Sequence, residues 1–228
     1  MLALMWLFEI GGAMDISLMI WAIVVLVFSV ILHEVSHGWI ALKFGDRTAE
    51  FAGRLTLNPI PHLDLFGSII LPAILIFTGS PIMLGWAKPV PVNPDNFRNY
   101  RWGTFWVSIA GIATNLCLAL VFGLAIRLLV TFGMIDVSGS EPGRLFAMLC
   151  LPVIINLFLA VFNLVPIPPL DGFNVFASLF GVIEKAQAAI ARFGLAWFVV
   201  LFVLLWVSPI ISIMTNVVFF LGGIITGI

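Results

Sequence analysis

The chain has 228 residues, of which 62% are hydrophobic and only 9% charged, with a formal net charge of −1 and a mean hydropathy of +1.21. A soluble domain of this length carries about 25% charged residues, so the composition excludes an ordinary soluble globule and indicates helices that sit in lipid. The near-neutral balance offers no basic surface for nucleic acid.

Residues 1–15 are apolar but short, with Glu9 and a Gly11-Gly12 pair, and read as an interfacial or partly inserted lead-in. No Lys or Arg precedes Lys43, so the lead-in lacks the basic region of a cleaved signal peptide. Residues 16–42 form the first clear span; at about 1.5 Å per residue they reach roughly 40 Å. The stretch EFAGRLTLN, 50–58, alternates loosely by polarity and predicts a short interfacial strand. Its Leu55 and Thr56 would lie on an edge able to take an unwound peptide by strand addition; an interfacial loop is the competing reading. Residues 65–86 carry Pro72, Gly79 and Pro81 and either cross or dip in and return. KPVPVNP, 88–94, is too rich in proline for a central strand and suits a semi-rigid lip. Residues 104–132 and 145–165 are further spans, joined by the polar loop 133–144. A proline break and a short apolar piece, 172–183, follow, and 194–228 is a last span with a kink expected at Pro209.

The expected fold is an all-α polytopic membrane protein with about five or six transmembrane or re-entrant helices and a short interfacial β element. Its parts are the lead-in, a core over 16–184 and a C-terminal span over 194–228. Lys43, Arg47 and Arg54 follow the first span, Lys88, Arg98 and Arg101 precede the second, and Lys185 and Arg192 precede the last. By the positive-inside rule these clusters are cytoplasmic, and all share one side only if 65–86 re-enters. Arg127 and Arg144 flank the outer loop and can snorkel. No internal repeat is visible, which argues against an inverted-repeat transporter. Cys117 and Cys150 lie in apolar runs and are expected as buried free thiols.

The motif SVILHEVSHGWIAL, 29–42, puts charge where lipid penalises it. His33 and His37 are four apart, so they share one helix face and can bind one metal. Glu34, beside the first, can reach a water at the open position, so H-E-x-x-H is a zinc motif that contains its own general base. Interhelical hydrogen bonding is the competing explanation. A catalytic zinc usually has three protein ligands, and FNLVPIPPLDGF, 162–173, offers Asp171 after Pro166, Pro168 and Pro169. Asp171 is therefore a candidate ligand, or simply the cap of a helix beginning near Phe173. Gly111 and Asn115 share a helix face that can pack on the first span, with Asn115 bonding across. His62, two residues before Asp64, reads as an interfacial loop residue or as a group supporting the site.

H-E-x-x-H, paired with N-x-x-P-x-P-x-x-D-G at Asn163, Pro166, Pro168, Asp171 and Gly172, resembles the site-2 protease family of intramembrane zinc metalloproteases. HLDLFGSIILP, 62–72, resembles a family segment, with Leu65 where proline is usual. GWAKPVPVNPDNFRN, 85–99, resembles the compact bacterial members, and AGIATN, 110–115, resembles A-G-P-x-x-N with Ile112 replacing proline. The resemblance covers roughly residues 20–180 and fits a compact member without PDZ or CBS domain. It implies one Zn2+ per chain held by His33, His37 and Asp171, with Glu34 activating water and Asn163 near the substrate. It also implies single-span membrane-protein substrates cut in or near their transmembrane helices, in a prokaryotic cell membrane; the Lys and Arg pattern puts the site nearer the cytoplasm. A catalytically inactive metal-binding adaptor and a metal-ion transporter are the alternatives. Oligomeric state is not legible.

Overall fold

The structure, a computed structural model, describes residues 16–70, 74, 77–78, 87–135, 144–193 and 209–228. In chain order the helices are α1 (Ile16–Phe44), α2 (Thr48–Phe51), α3 (Tyr100–Thr131), α4 (Arg144–Leu164), α5 (Asp171–Leu179), α6 (Ile183–Phe193) and α7 (Ile210–Thr226). Short helical turns lie at Ile60–His62, Leu65–Ile70 and Pro94–Asn96. Helices α1, α3 and α4 are long and apolar enough to cross a membrane. The lead-in, most of 65–86 and the first part of the last span lie outside the described residues; Pro209 caps the start of α7.

Helix α3 sits at the centre and packs on α1, α4, α5 and α7. Its sequence shows why. Gly111, Asn115, Ala119 and Gly123, each four apart, are buried along one face. Leu116, Leu120, Leu124 and Leu128 are exposed on another. In lipid a leucine gains nothing by turning inward, whereas small residues let helices approach closely. Polar residues follow the same inward rule: Ser29, His33 and His37 on α1, Ser108 and Asn115 on α3, and Asn156 on α4 are all buried.

Pro152 lies inside α4 and cannot donate to the carbonyl four residues back. That carbonyl, Met148 O, instead accepts the Trp21 Nε1–H from α1 at 2.8 Å. The α1–α4 contact below it is apolar, with Ala22, Val25, Leu151 and Ile155 buried together.

Two sequence expectations change. No strand occurs among the described residues, and 50–58 is instead the end of α2 followed by turns. Gly53 turns the chain at φ +63°, and Phe51 and Leu57 are exposed, so the loose alternation never separates a buried face from a wet one. Leu55 packs toward Gly38 of α1, and the Thr56 carbonyl is taken by His62, so neither offers a free edge. Of the two thiols, Cys117 is exposed on the lipid-facing side of α3 and Cys150 is half-buried; both are free.

Trp21→Phe should lower stability in detergent by about 1 kcal/mol, the cost of a half-buried carbonyl left unpaired. In a Pro152→Ala background, where the helix can supply its own donor, the same change should cost measurably less; equal costs in both backgrounds would contradict this pairing.

Candidate metal centre

The site is assembled from four helices. On α1, His33 and His37 lie one turn apart with their rings edge to face, centroids 4.6 Å apart. Helix α4 ends at Leu164, where the prolines of 166–169 stop it, and α5 begins at Asp171. Asp171 makes no capping bond; the N-cap position is Leu170. Its Oδ2 lies 3.2 Å from His33 Nε2 and 3.3 Å from His37 Nε2. Gly172 makes this placement possible. A Cβ there would come within 2.7 Å of the Val165 carbonyl oxygen and overlap that of Leu164. Gly111 of α3 forms the floor, since a Cβ on it would lie 2.5 Å from His33 Cε1 and 2.6 Å from His37 Cε1.

The hydrogen bonds determine which ring nitrogens carry protons. Asn156 Nδ2 donates to the Pro152 carbonyl and to Ser29 Oγ, both at 2.9 Å. A carbonyl can only accept, so this end of Asn156 is its amide nitrogen and its Oδ1 faces Asn115. Asn115 Nδ2 donates to that oxygen at 2.9 Å, which leaves Asn115 Oδ1 facing His33 Nδ1 at 2.6 Å. His33 is therefore protonated on Nδ1. His37 Nδ1 donates to the Val107 carbonyl at 2.7 Å, with the same result. With both rings neutral, the two Nε2 atoms present lone pairs toward the buried Asp171 Oδ2.

Three lone-pair atoms thus converge within 4.8 Å of one another. Left facing each other, two imidazole nitrogens and a carboxylate oxygen repel; a cation between them removes the repulsion. Two nitrogens, one oxygen and a position left for water form the donor set of a catalytic zinc, so the residues fit that ion. The partners on Nδ1 are the kind that orient ligating imidazoles.

Glu34 is half-buried on the same helix, and its Oε2 accepts the Val90 backbone N–H at 2.8 Å. The structure brings His33, His37, Asp171, Glu34 and Asn115 together. Asn163 is not among them in any hydrogen bond; its Nδ2 donates to Leu159 O, one turn back in its own helix, at 3.0 Å. His62 is buried in its loop turn, with Nε2 2.9 Å from the Thr56 carbonyl. Sequence reasoning passed over Asn156 and Ser29. The signal was present, because an amide in the middle of an apolar span needs partners.

Residues 130–207 match the description "Peptidase family M50". The chain is 40% identical over 190 residues to "Putative zinc metalloprotease YwhC" of Bacillus subtilis, covering 82% of each protein. The chain belongs to peptidase family M50. It is a zinc metalloprotease of the site-2 type, and its apolar helices are those of a membrane protein. The chain is also 32% identical over 177 residues to "Putative zinc metalloprotease Rip2" of Mycobacterium tuberculosis, 76% of this chain and 63% of that protein. Rip2 of Mycolicibacterium smegmatis is 30% identical over 185 residues, 81% of this chain and 65% of that protein. No solved structure matches the chain.

Asn115→Leu should weaken zinc binding about 10–100-fold in chelator competition, with Asn156→Leu in the same direction but smaller. Gly111→Ala should displace both imidazoles and release the metal. Unchanged zinc affinity in Asn115→Leu would mean that the amide does not orient His33.

Proposed function

We propose that this M50 protein is an intramembrane endopeptidase that hydrolyses peptide bonds in or near the transmembrane helices of single-span membrane proteins, in the manner of regulated intramembrane proteolysis. The observation that carries the reading is the convergence of His33, His37 and Asp171 in a bundle whose long helices are apolar enough to cross a membrane. These residues would hold one Zn2+ per chain. Bound there, zinc supplies Lewis acidity toward the scissile carbonyl and makes water acidic enough to ionise near neutral pH.

The chain's own residues do the rest. Glu34, adjacent to the first ligand, takes the proton of the attacking water and returns it to the leaving amine. Asn115 and Val107 hold the Nδ1 protons of His33 and His37, which directs both Nε2 atoms toward the metal position. Gly111 keeps space over the rings that a side chain would close. Asn163 is bonded to its own helix, which favours a structural role at the end of α4 over contact with substrate.

The exposed leucine face of α3 fits a protein that meets substrates within the bilayer. Lys43, Arg47, Arg54, Lys88, Arg98 and Arg101 cluster in sequence around the C-terminal end of α1 and the start of α3. By the positive-inside rule that end faces the cytoplasm of a prokaryotic cell, and the site is nearer to it.

Glu34→Gln should keep zinc and lose cleavage of a single-span model substrate by about 100-fold or more. Metal removal by chelation should abolish cleavage, and added zinc should restore it. A Glu34→Gln enzyme that still cuts would remove Glu34 from the reaction.

A further inference from the structure

The segment 88–93 is a short irregular strap that reaches the centre through the Val90 backbone. Its Val90 N–H donates to Glu34 Oε2 at 2.8 Å. Pro89 and Pro91 flank Val90, so neither neighbour has an N–H to compete for that carboxylate. The Val90 side chain is buried against Gly38, where a Cβ would lie 3.0 Å from Val90 Cγ1.

Both ends of the strap are tied down. At one, the Lys88 N–H donates to the His62 carbonyl at 2.9 Å, and Arg54 Nη2 donates to the Lys88 carbonyl at 2.6 Å. Arg54 and His62 are themselves buried. At the other, the Asn93 N–H donates to Asp46 Oδ2 at 2.7 Å. Asp46 is fully buried and also accepts from Thr48 and from Asn96 Nδ2. Burial pushes its carboxyl up, but these bonds outweigh that and hold it below the ordinary carboxylate range. Two prolines fix φ between the tied ends, so the direction of the Val90 N–H is set without help from Glu34.

We propose that the 88–93 strap is a positioning element of the catalytic centre: the Val90 N–H aims the Glu34 carboxylate, while Arg54, His62 and Asp46 fix where that N–H points. The proposal rests on Glu34 acting as the general base. A glutamate side chain has several rotamers, and the Val90 N–H favours the one in which Oε2 meets it. A single fixed donor on Oε2 selects that rotamer and leaves the other oxygen to take the proton. The buried Arg54 and Asp46, which touch neither ligand nor metal in this assignment, gain a reason for their places.

Hydrogen exchange reads the contact directly. Across 88–92 only Lys88, Val90 and Val92 carry amide protons. In Glu34→Ala the Val90 amide should exchange fast while Lys88 stays protected; in Glu34→Gln, which keeps an acceptor, both should stay protected. Kinetically, Val90→Pro removes the donor and should lower kcat about 100-fold, with KM and zinc content unchanged. Val90→Ala keeps the donor and should recover most of that loss. Arg54→Ala should lower kcat in the same direction and speed exchange at both Lys88 and Val90. A Val90 amide equally protected in Glu34→Ala, or a wild-type kcat in Val90→Pro, would overturn the proposal. So would loss of zinc from Val90→Pro, because the strap would then be holding the ligands and not the base. These outcomes are separate from failure of the functional reading, which would show as cleavage by Glu34→Gln.

Discussion

Everything in this fold depends on three lone pairs being made to face each other: His33 Nε2, His37 Nε2 and Asp171 Oδ2. Such an arrangement is unfavourable unless a cation sits among them, and it is most unfavourable in a low-dielectric interior. The surrounding structure holds it in place at several points. Carbonyl and amide acceptors fix both imidazole tautomers. Gly172 brings the start of α5 against the end of α4, and Gly111 makes room for the rings. The chain of donors from Asn115 through Asn156 to Ser29 and the Pro152 carbonyl joins α1, α3 and α4 in the plane of the site. The bundle's interhelical bonds are thus the same bonds that orient the ligand.

Membrane context explains which parts of this were legible in sequence. H-E-x-x-H and the proline break before Asp171 stood out because polar groups and irregular backbone are costly in lipid and need a reason. The cap reading of Asp171 was open on spacing alone; in the fold the N-cap position is Leu170, and the Asp171 carboxylate is turned to the histidines. Asn163 drew attention through its motif, yet Asn156, seven residues earlier, carries the bonds to the site. Periodicity failed at 50–58, where apolar residues need no buried face because the membrane boundary accepts them outside. The same inversion left Cys117 facing lipid.

Backbone donors were not legible at all. Nothing in KPVPVNP states that the Val90 N–H meets Glu34, since the partner lies 56 residues away in the chain. The prolines, which first suggested a stiff lip, take on a more specific meaning beside that bond, because they leave a single donor at the point of contact. A preorganised dipole beside a reacting group is a general way for proteins to set orientation before substrate arrives. Here the dipole belongs to a surface segment anchored by buried charge, so the catalytic helix and the segment over it form one unit.

The central claim is that His33, His37 and Asp171 together hold zinc, and X-ray absorption at the zinc edge tests it most directly. The account predicts a first shell of nitrogen and oxygen only, at about 2.0–2.2 Å, with the scattering signature of two imidazoles, and loss of stoichiometric zinc from Asp171→Ala. A sulfur scatterer near 2.3 Å, a third imidazole, or full zinc retention in Asp171→Ala would contradict it.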